Sequence, residues 1–205
     1  MAVITITRGM ATGGRKLGRL LAKRLDYHYV DKSLFQKIAE DLNVSERTLE
    51  SFEKSREYYI SNTFAKAFST SYIERIVGYD KSVVEEEEYQ KSLGNLILGT
   101  AREDNVVIIG RAAYFFLKDM KNCFHIRLVA PMDWKKKYAL ENYKISPDHV
   151  RKFIEKRDRN LQWFRRSICG AGFDDSLLFH LTLNMSRIPI EKSVELIMSV
   201  ANLSD

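Results

Sequence analysis

A glycine-rich stretch near the N-terminus carries the residues best suited to chemistry. Gly9, Gly13 and Gly14 stand in the segment RGMATGGRK, directly before the cationic residues Arg15 and Lys16. Glycines let successive backbone N–H groups converge on one point, and phosphate is the ligand that such a concave arrangement binds. The spacing Gly-x4-Gly is that of a P-loop, but Arg15 and Lys16 occupy the positions of its lysine and its hydroxyl residue. The stretch predicts a phosphate site, with an ordinary strand-to-helix turn as the alternative.

The side chains of this stretch decide what it can hold. Arg15 is the nearest cation, and a guanidinium can bind phosphate oxygens bidentately, so we predict that it replaces the lysine. The hydroxyl that normally helps to hold Mg²⁺ is missing from its usual position, and Thr12 is the candidate within the loop to replace it. We therefore predict that the nucleotide phosphates contact Thr12, Gly13, Gly14, Arg15 and Lys16.

Short apolar runs alternate with helical patterns along the chain. These runs lie at 2–6, 27–30, 105–109, 123–129 and 179–184. Continuous rather than alternating apolar residues are typical of strands that are buried on both faces of a parallel sheet. We predict an α/β fold with a parallel five-stranded sheet flanked by helices. The strand at 2–6 should be central, with the glycine loop at its carboxyl end and a helix from about 14 to 25 after it.

A long stretch without a strand-like run interrupts this alternation. Residues 31–102 are rich in Tyr, Phe, Ser and charged residues, and the stretch is too long for a simple crossover between strands. We predict a helical insertion within a single domain of residues 1–205. In the second half of the chain, Pro131, Pro147 and Pro189 each open a helical pattern, where a missing N–H costs least.

Composition and charge limit the classes of partner. The formal net charge of +6 and the isoelectric point near 9.2 favour an anionic partner, such as nucleic acid, a membrane surface or a phosphorylated small molecule. Cys123 and Cys169 form neither a disulfide framework nor a metal-ligand pattern, which fits a reducing cytoplasm. We therefore predict no protein metal site. We also predict no membrane span, because no run of about 18 apolar residues occurs.

Four stretches carry motifs that extend beyond the glycine loop. They read TRGMATGGRKLGRLLAKRL, YVDKSLFQKIA, VVIIGRAAYFFLKD and LFHLTLNMSRIPIEKSVELI. Together they resemble the cytidylate kinase-like family, a relative of the nucleoside monophosphate kinases. The resemblance covers nearly the whole chain and is weakest between about 43 and 100. The family's loop typically reads Ser-Arg-x-x-Gly-Ser-Gly-Gly-Arg, so an arginine-ended loop with Arg8 before it is a family trait.

This resemblance implies a reaction and its substrates. The reaction is ATP-dependent phosphoryl transfer, with Mg²⁺, to a nucleoside monophosphate, and CMP or dCMP is the implied acceptor. Arg8 joins the nucleotide site. Asp31 matches a carboxylate that faces the acceptor, although an Asp before KSLFQKIA is also a good helix N-cap. Arg111 follows the third strand at the open edge of the sheet and binds the acceptor phosphate, with a surface ion pair as the alternative.

The resemblance also divides the domain. Residues 145–172 correspond to a mobile lid, and the insertion at 31–102 corresponds to the acceptor region. The core is then formed by residues 1–30, 103–144 and 173–205. Such kinases depend on a closing lid to exclude water and to bring cations to the transferred phosphoryl group.

The lid departs from the family pattern at one position. The pattern Asp-x-x-Arg begins at Asp158, which is implied to contact the substrate, but Leu161 occupies the place of the arginine. Arg159, Arg165 and Arg166 lie close enough along the helix to substitute for it. We predict that Arg159, Arg165 and Arg15 supply the catalytic positive charge.

Three alternatives to a nucleoside monophosphate kinase remain open. The absent lysine, Ile109 in place of a carboxylate and Leu161 favour a nucleotide-binding regulator without turnover. A kinase of a non-nucleotide small molecule is the second alternative. A nucleic-acid binder, suggested by the segment WFRR at 163–166, is the least favoured.

Overall fold

The computed structural model describes residues 2–31 and 86–201, which form a five-stranded sheet flanked by helices. The strands are β1 (Val3–Arg8), β2 (His28–Val30), β3 (Val106–Ile109), β4 (Cys123–Val129) and β5 (Leu181–Asn184). Their order is β2-β3-β1-β4-β5, and every neighbouring pair is parallel. The α/β class, the parallel five-stranded sheet and the central position of β1 are confirmed, and each strand end lies within two residues of its predicted end.

The helices follow the strands as the sequence predicts. They are α1 (Gly14–Leu25), α2 (Glu86–Arg102), α3 (Ala113–Phe116), α4 (Met132–Asn142), α5 (Pro147–Cys169) and α6 (Ile190–Ala201). Pro131 and Pro189 directly precede α4 and α6, and Pro147 is the first residue of α5. Of the predicted insertion at 31–102, residues 32–85 lie outside the described residues. Its described end is helical and forms α2.

Two apolar layers cover the two faces of the sheet. Leu96 of α2 and Tyr114 of α3 pack on one face, against Val106 and the other residues of that layer. The other layer contains Leu17 of α1 and Ile197 of α6. Each buried side chain of this size contributes about 1.5–3 kcal/mol, so both faces of the sheet are firmly held. The loops at the carboxyl ends of β1 and β3 therefore start from fixed positions on neighbouring strands.

A third and smaller apolar cluster joins two helices to the first loop. Ala139 of α4 and both Val150 and Ile154 of α5 pack with Ala11, which lies between β1 and α1. In the described part of the chain, no helix is long and apolar enough to cross a membrane.

A buried histidine makes the stability of this fold dependent on pH. His125 in β4 is 3% exposed, and its Nδ1 lies 2.9 Å from the hydroxyl of Thr5. Burial, together with the neighbouring His180, lowers the pKa of His125 to about 4, whereas the unfolded value is about 6.5. The unfolded chain therefore binds the proton between these values. The free energy of unfolding should therefore be at its highest above about pH 6.5. It should fall by on the order of 3 kcal/mol as the pH drops to about 4.

Urea unfolding at pH 7.0, 5.5 and 4.5 tests this expectation. His125→Gln should lower stability at pH 7 but should flatten its decline with falling pH, because a glutamine does not titrate. His149→Gln, at an exposed position in α5, is the control and should keep the decline of the unsubstituted protein. An equal decline in the protein and in His125→Gln would contradict the assignment.

Candidate functional site

The loop of residues 9–14, called the phosphate loop below, leaves the first turn of α1 without a side-chain cap. Gly13 is the N-cap residue with φ 77° and ψ 5°, a left-handed conformation that glycine adopts without strain. No acidic residue stands in the first turn of α1. The first N–H groups of a helix have no partner within it, and they carry the positive end of its dipole. The phosphate loop therefore presents an anion-binding helix terminus.

A cavity of about 520 Å³ opens over the phosphate loop. This volume lies within the range of about 300–1,000 Å³ that is typical of small-molecule sites. Among the described residues that line it, four are arginines and none is a carboxylate; the arginines are Arg8, Arg15, Arg111 and Arg157. Uncapped N–H groups and four guanidiniums favour a ligand with several negative charges, such as a nucleotide.

Arg8 is held between two glycines. A Cβ at Gly14 would lie 3.0 Å from Arg8 Cγ, and a Cβ at Gly110 would lie 2.5 Å from Arg8 Nη1. A side chain at Gly110 would force the Arg8 guanidinium to move, and the φ of 78° at this residue also favours glycine. Burial, together with the neighbouring cations of Arg15 and Arg165, lowers the pKa of Arg8 to about 10. Arg8 still carries its charge at neutral pH, so an anion in the cavity would stabilise this cluster.

The loop after β3 adopts an unusual backbone conformation. Gly110, Arg111 and Ala112 have φ angles of 78°, 58° and 54°, three successive residues in the left-handed region. Such residues other than glycine carry backbone strain, and they cluster at functional sites. This conformation directs Arg111 to the cavity, where its guanidinium lies 5.6 Å from the ring centre of Phe164.

Arg15 and Asp31 lie close together beside the phosphate loop. The Arg15 side chain is 57% exposed and lines the cavity, with its Nε 3.9 Å from Asp31 Oδ2. Asp31 is buried, lies outside the cavity lining, and accepts a hydrogen bond of 3.1 Å from the hydroxyl of Tyr29. The alternative role of Asp31 as a helix N-cap concerns residues that lie outside the described ranges.

The two other polar side chains of the predicted phosphate site behave differently. Thr12 is buried and its hydroxyl donates to the Gly9 carbonyl oxygen at 3.1 Å, so it holds the phosphate loop together from within. Lys16 is exposed and lies outside the cavity lining. Within 2–31 and 86–201, no group of three or more His, Cys, Asp or Glu residues could hold a metal ion.

One face of α5 forms a wall of the cavity. Its cavity-lining residues are spaced i, i+4, i+7, i+8 and i+11, as one side of a helix requires; they are Phe153, Arg157, Asn160, Leu161 and Phe164. Leu161, which stands at the position of the family's arginine, is among them. Arg157 was missed by the sequence analysis, although it lies one turn before Leu161 on the same face. That spacing of four residues was the available signal.

The predicted lid arginines lie elsewhere on α5. Arg159 is exposed and outside the cavity lining. Arg165 is half-buried, its Nη1 donates to the Arg8 carbonyl oxygen at 3.5 Å, and its guanidinium lies 5.7 Å from the ring centre of Phe173. Within the described residues, the buried Nε of Arg165 has no hydrogen-bond partner. The structure thus brings Arg165 to the end of β1 and leaves Arg159 away from the cavity.

Asp158 contacts the phosphate loop rather than the cavity. Its Oδ1 accepts a hydrogen bond of 2.6 Å from the backbone N–H of Met10, and its Oδ2 lies 2.8 Å from Lys135 Nζ. Neither charged side chain belongs to the cavity lining. Among the predicted site residues, the structure therefore groups Arg8, Thr12, Gly13, Gly14, Arg15 and Arg111 around one cavity.

Comparison with known proteins adds an independent observation. The sequence profile of the cytidylate kinase-like family matches residues 3–187, as the resemblance predicted. A protein from Eubacterium ventriosum ATCC 27560 has a crystal structure similar to this chain, with a TM-score of 0.68, 16% identity and 98% of each chain covered. Shikimate kinase from Bacteroides thetaiotaomicron is similar with a TM-score of 0.53, 16% identity and 98% of each chain covered. These two likenesses show the fold, and no curated protein sequence matches the chain.

Proposed function

The chain belongs to the cytidylate kinase-like family, which supports kinase-type phosphoryl transfer, and on this premise we propose that it phosphorylates a pyrimidine nucleoside monophosphate with ATP. CMP and dCMP are the proposed acceptors. The observation that carries the proposal is the cavity over the phosphate loop, which combines uncapped helix N–H groups with four arginines. Two phosphorylated ligands must meet in such a reaction, and the four arginines of this cavity would offset the negative charge that they bring together.

The donor side is the phosphate loop. The β- and γ-phosphates of ATP would lie against the first N–H groups of α1, with the guanidinium of Arg15 on their outer side. Arg8, wedged between Gly14 and Gly110, would add a second cation below them. Asp31 supports this site by its proximity to Arg15, since the two side chains are 3.9 Å apart.

The acceptor side is the end of β3 and the facing wall of the cavity. Arg111 would bind the acceptor phosphate, because the left-handed backbone at this position turns its guanidinium toward the cavity. Three further aromatic residues that line the cavity offer apolar ring surfaces for a nucleobase; they are Tyr138, Tyr143 and Phe153. This set fits a phosphate joined to a flat base.

The transfer itself needs little covalent help from the protein. An oxygen of the acceptor phosphate attacks the γ-phosphorus, the bond from that phosphorus to the β–γ bridging oxygen breaks, and ADP leaves. Negative charge spreads over the equatorial oxygens, and Arg157 on the cavity face of α5 can approach them together with Arg15. We assign the lid's catalytic role to Arg157 ahead of Arg159, whose side chain is outside the cavity lining.

The cofactors expected of such a kinase fit the residues present. A triphosphate matches the cationic cavity, and the uncapped N–H groups at the start of α1 can bind its oxygens. Mg²⁺, when bound, would neutralise charge on the phosphates, held mainly by their oxygens and by water, as this ion prefers. Thr12 is the hydroxyl residue of the phosphate loop, and its oxygen already bonds to Gly9.

An acceptor survey tests the proposal. Release of ADP from MgATP should be stimulated most by CMP or dCMP, less by UMP, and least by AMP, GMP and shikimate. Arg111→Ala should raise the KM for the acceptor with little change in the KM for ATP. The matched control is Arg102→Ala, at an exposed position in the last turn of α2, which should behave as the unsubstituted protein.

Two other outcomes of this survey would assign a different function to the protein. Tight binding of MgATP with no stimulation by any acceptor would favour a nucleotide-binding regulator, and Leu161 in the cavity wall is the observation behind that alternative. Stimulation by a non-nucleotide acceptor alone would instead identify a kinase of another class of small molecule.

A further inference from the structure

A partly buried ion pair connects the phosphate loop to two helices. Asp158 of α5 accepts the N–H of Met10 at 2.6 Å through one carboxylate oxygen and contacts Lys135 of α4 at 2.8 Å through the other. The side chains of Lys135 and Asp158 are 15% and 19% exposed. A hydrogen bond to a carboxylate is stronger than one between neutral groups, and partial burial reduces its screening by solvent.

The phosphate loop is shaped to this pair. A Cβ at Gly9 would lie 3.0 Å from Lys135 Nζ and 3.2 Å from Asp158 Oδ1, so a side chain at this position would force these groups to shift by a few tenths of an ångström. Next to the pair, Ala11 of the loop packs with Ile154, one turn before Asp158 on α5. A polar contact and an apolar contact thus attach the same loop to the same helix.

Asp158 and the cavity lie on different sides of α5. Arg157 and Asn160, its neighbours in sequence, line the cavity, whereas Asp158 and Lys135 do not. A ligand in the cavity is therefore contacted by the neighbours of Asp158, and Asp158 acts through Met10.

We propose that Asp158, with Lys135 as its counter-charge, is a positioning residue that fixes the phosphate loop at a set distance from the cavity face of α5. The N–H groups of the loop and the guanidinium of Arg157 then keep one geometry relative to each other. The consequence for ATP binding rests on the proposed function. The attachment of Met10 to α5 does not rest on it.

Variants of this pair and of a neighbouring pair provide the test. Asp158→Ala and Lys135→Met remove the attachment, and Asp158→Asn keeps an acceptor oxygen without the charge. Lys136 and Asp133 form an ion pair on the same helix, 2.8 Å apart with Asp133 93% exposed, so Lys136→Met is the matched control. Amide hydrogen exchange is followed at Met10 and across β4, and binding of MgATP is followed by calorimetry.

Loss of the charge-assisted bond should speed exchange at Met10 about tenfold or more in Asp158→Ala and should leave β4 unchanged. Affinity for MgATP should fall about tenfold in the same variant, less in Asp158→Asn, and not at all in Lys136→Met. If Asp158→Ala does not fold, Lys135→Met and Asp158→Asn decide the result by the same two measurements.

Unchanged exchange at Met10 in the variants that fold would overturn the proposal. If the unsubstituted protein binds MgATP, faster exchange at Met10 in a variant with unchanged affinity for MgATP would also overturn it. Faster exchange at Met10 in a protein that does not bind MgATP would retain the attachment and reject the proposed function, so the two failures are distinguishable.

Discussion

Arg157→Ala should lower kcat by about a hundredfold or more and should leave the affinity for ATP nearly unchanged. The reason is that Arg157 lines the cavity from α5, whereas the proposed site of the ATP phosphates is the phosphate loop. An interaction that strengthens only in the transition state appears in kcat and not in ground-state binding. Single-turnover kinetics and calorimetric titration with MgATP measure the two quantities separately.

The neighbouring Lys156 gives this experiment its control. Lys156→Ala removes one positive charge from an exposed position of the same helix and should leave kcat unchanged. Arg159→Ala and Arg165→Ala test the two arginines that the sequence pattern favoured. A large loss of kcat in Arg159→Ala, with normal turnover in Arg157→Ala, would mean that α5 rotates before transfer and would contradict the assignment.

Arg15→Ala should weaken the binding of MgATP by about ten- to a hundredfold. Arg15 is the first cation after the phosphate loop and lines the cavity. Within the described residues, Arg15 forms an ion pair with Asp31 at 3.9 Å, which is a long distance for such a pair, so the guanidinium can bind phosphate oxygens without losing a strong bond to Asp31. Titration of the protein and the variant with MgATP at one fixed salt concentration measures the difference.

Lys23→Ala is the control, because Lys23 is an exposed cation in the last turn of the same helix. It changes the net charge equally and lies far along α1 from the phosphate loop. Undiminished affinity in Arg15→Ala would show that the backbone N–H groups and Arg8 are sufficient to hold the phosphates.

The fold could be predicted because its signals are local. Runs such as NVVII and CFHIRLV are mostly apolar without strict alternation, which is typical of strands covered on both faces. The starts of three helices could also be predicted, because a proline precedes or opens α4, α5 and α6. The segment at 32–85 lies outside the described residues, so its predicted helical character stays a prediction.

The site was only partly predictable, because the rotation of a helix depends on its packing. The glycines of the phosphate loop are visible in the sequence, but the face of α5 that meets the cavity is fixed by Val150, Ile154 and Ile168, which are buried. Arg157 follows Val150 by seven residues and Asp158 follows Ile154 by four, so both lie near the buried side and the spacing alone does not tell which of them meets the cavity. The contact between Arg8 and Gly110 could not be read locally either, because it depends on the pairing of β1 with β3.

The central position of β1 also affects the protein during its synthesis. Val3 of β1 pairs with Val106 of β3 and with Cys123 of β4. About a hundred further residues must therefore be synthesised after β1 before either partner strand exists. At a translation rate of about 5–20 residues per second, this interval lasts on the order of 5–20 s. Throughout it, the apolar segment AVITI has neither of its two neighbours and exposes the hydrogen-bonding groups of an unpaired strand. A nascent chain stalled before residue 106 should therefore be a substrate for chaperones.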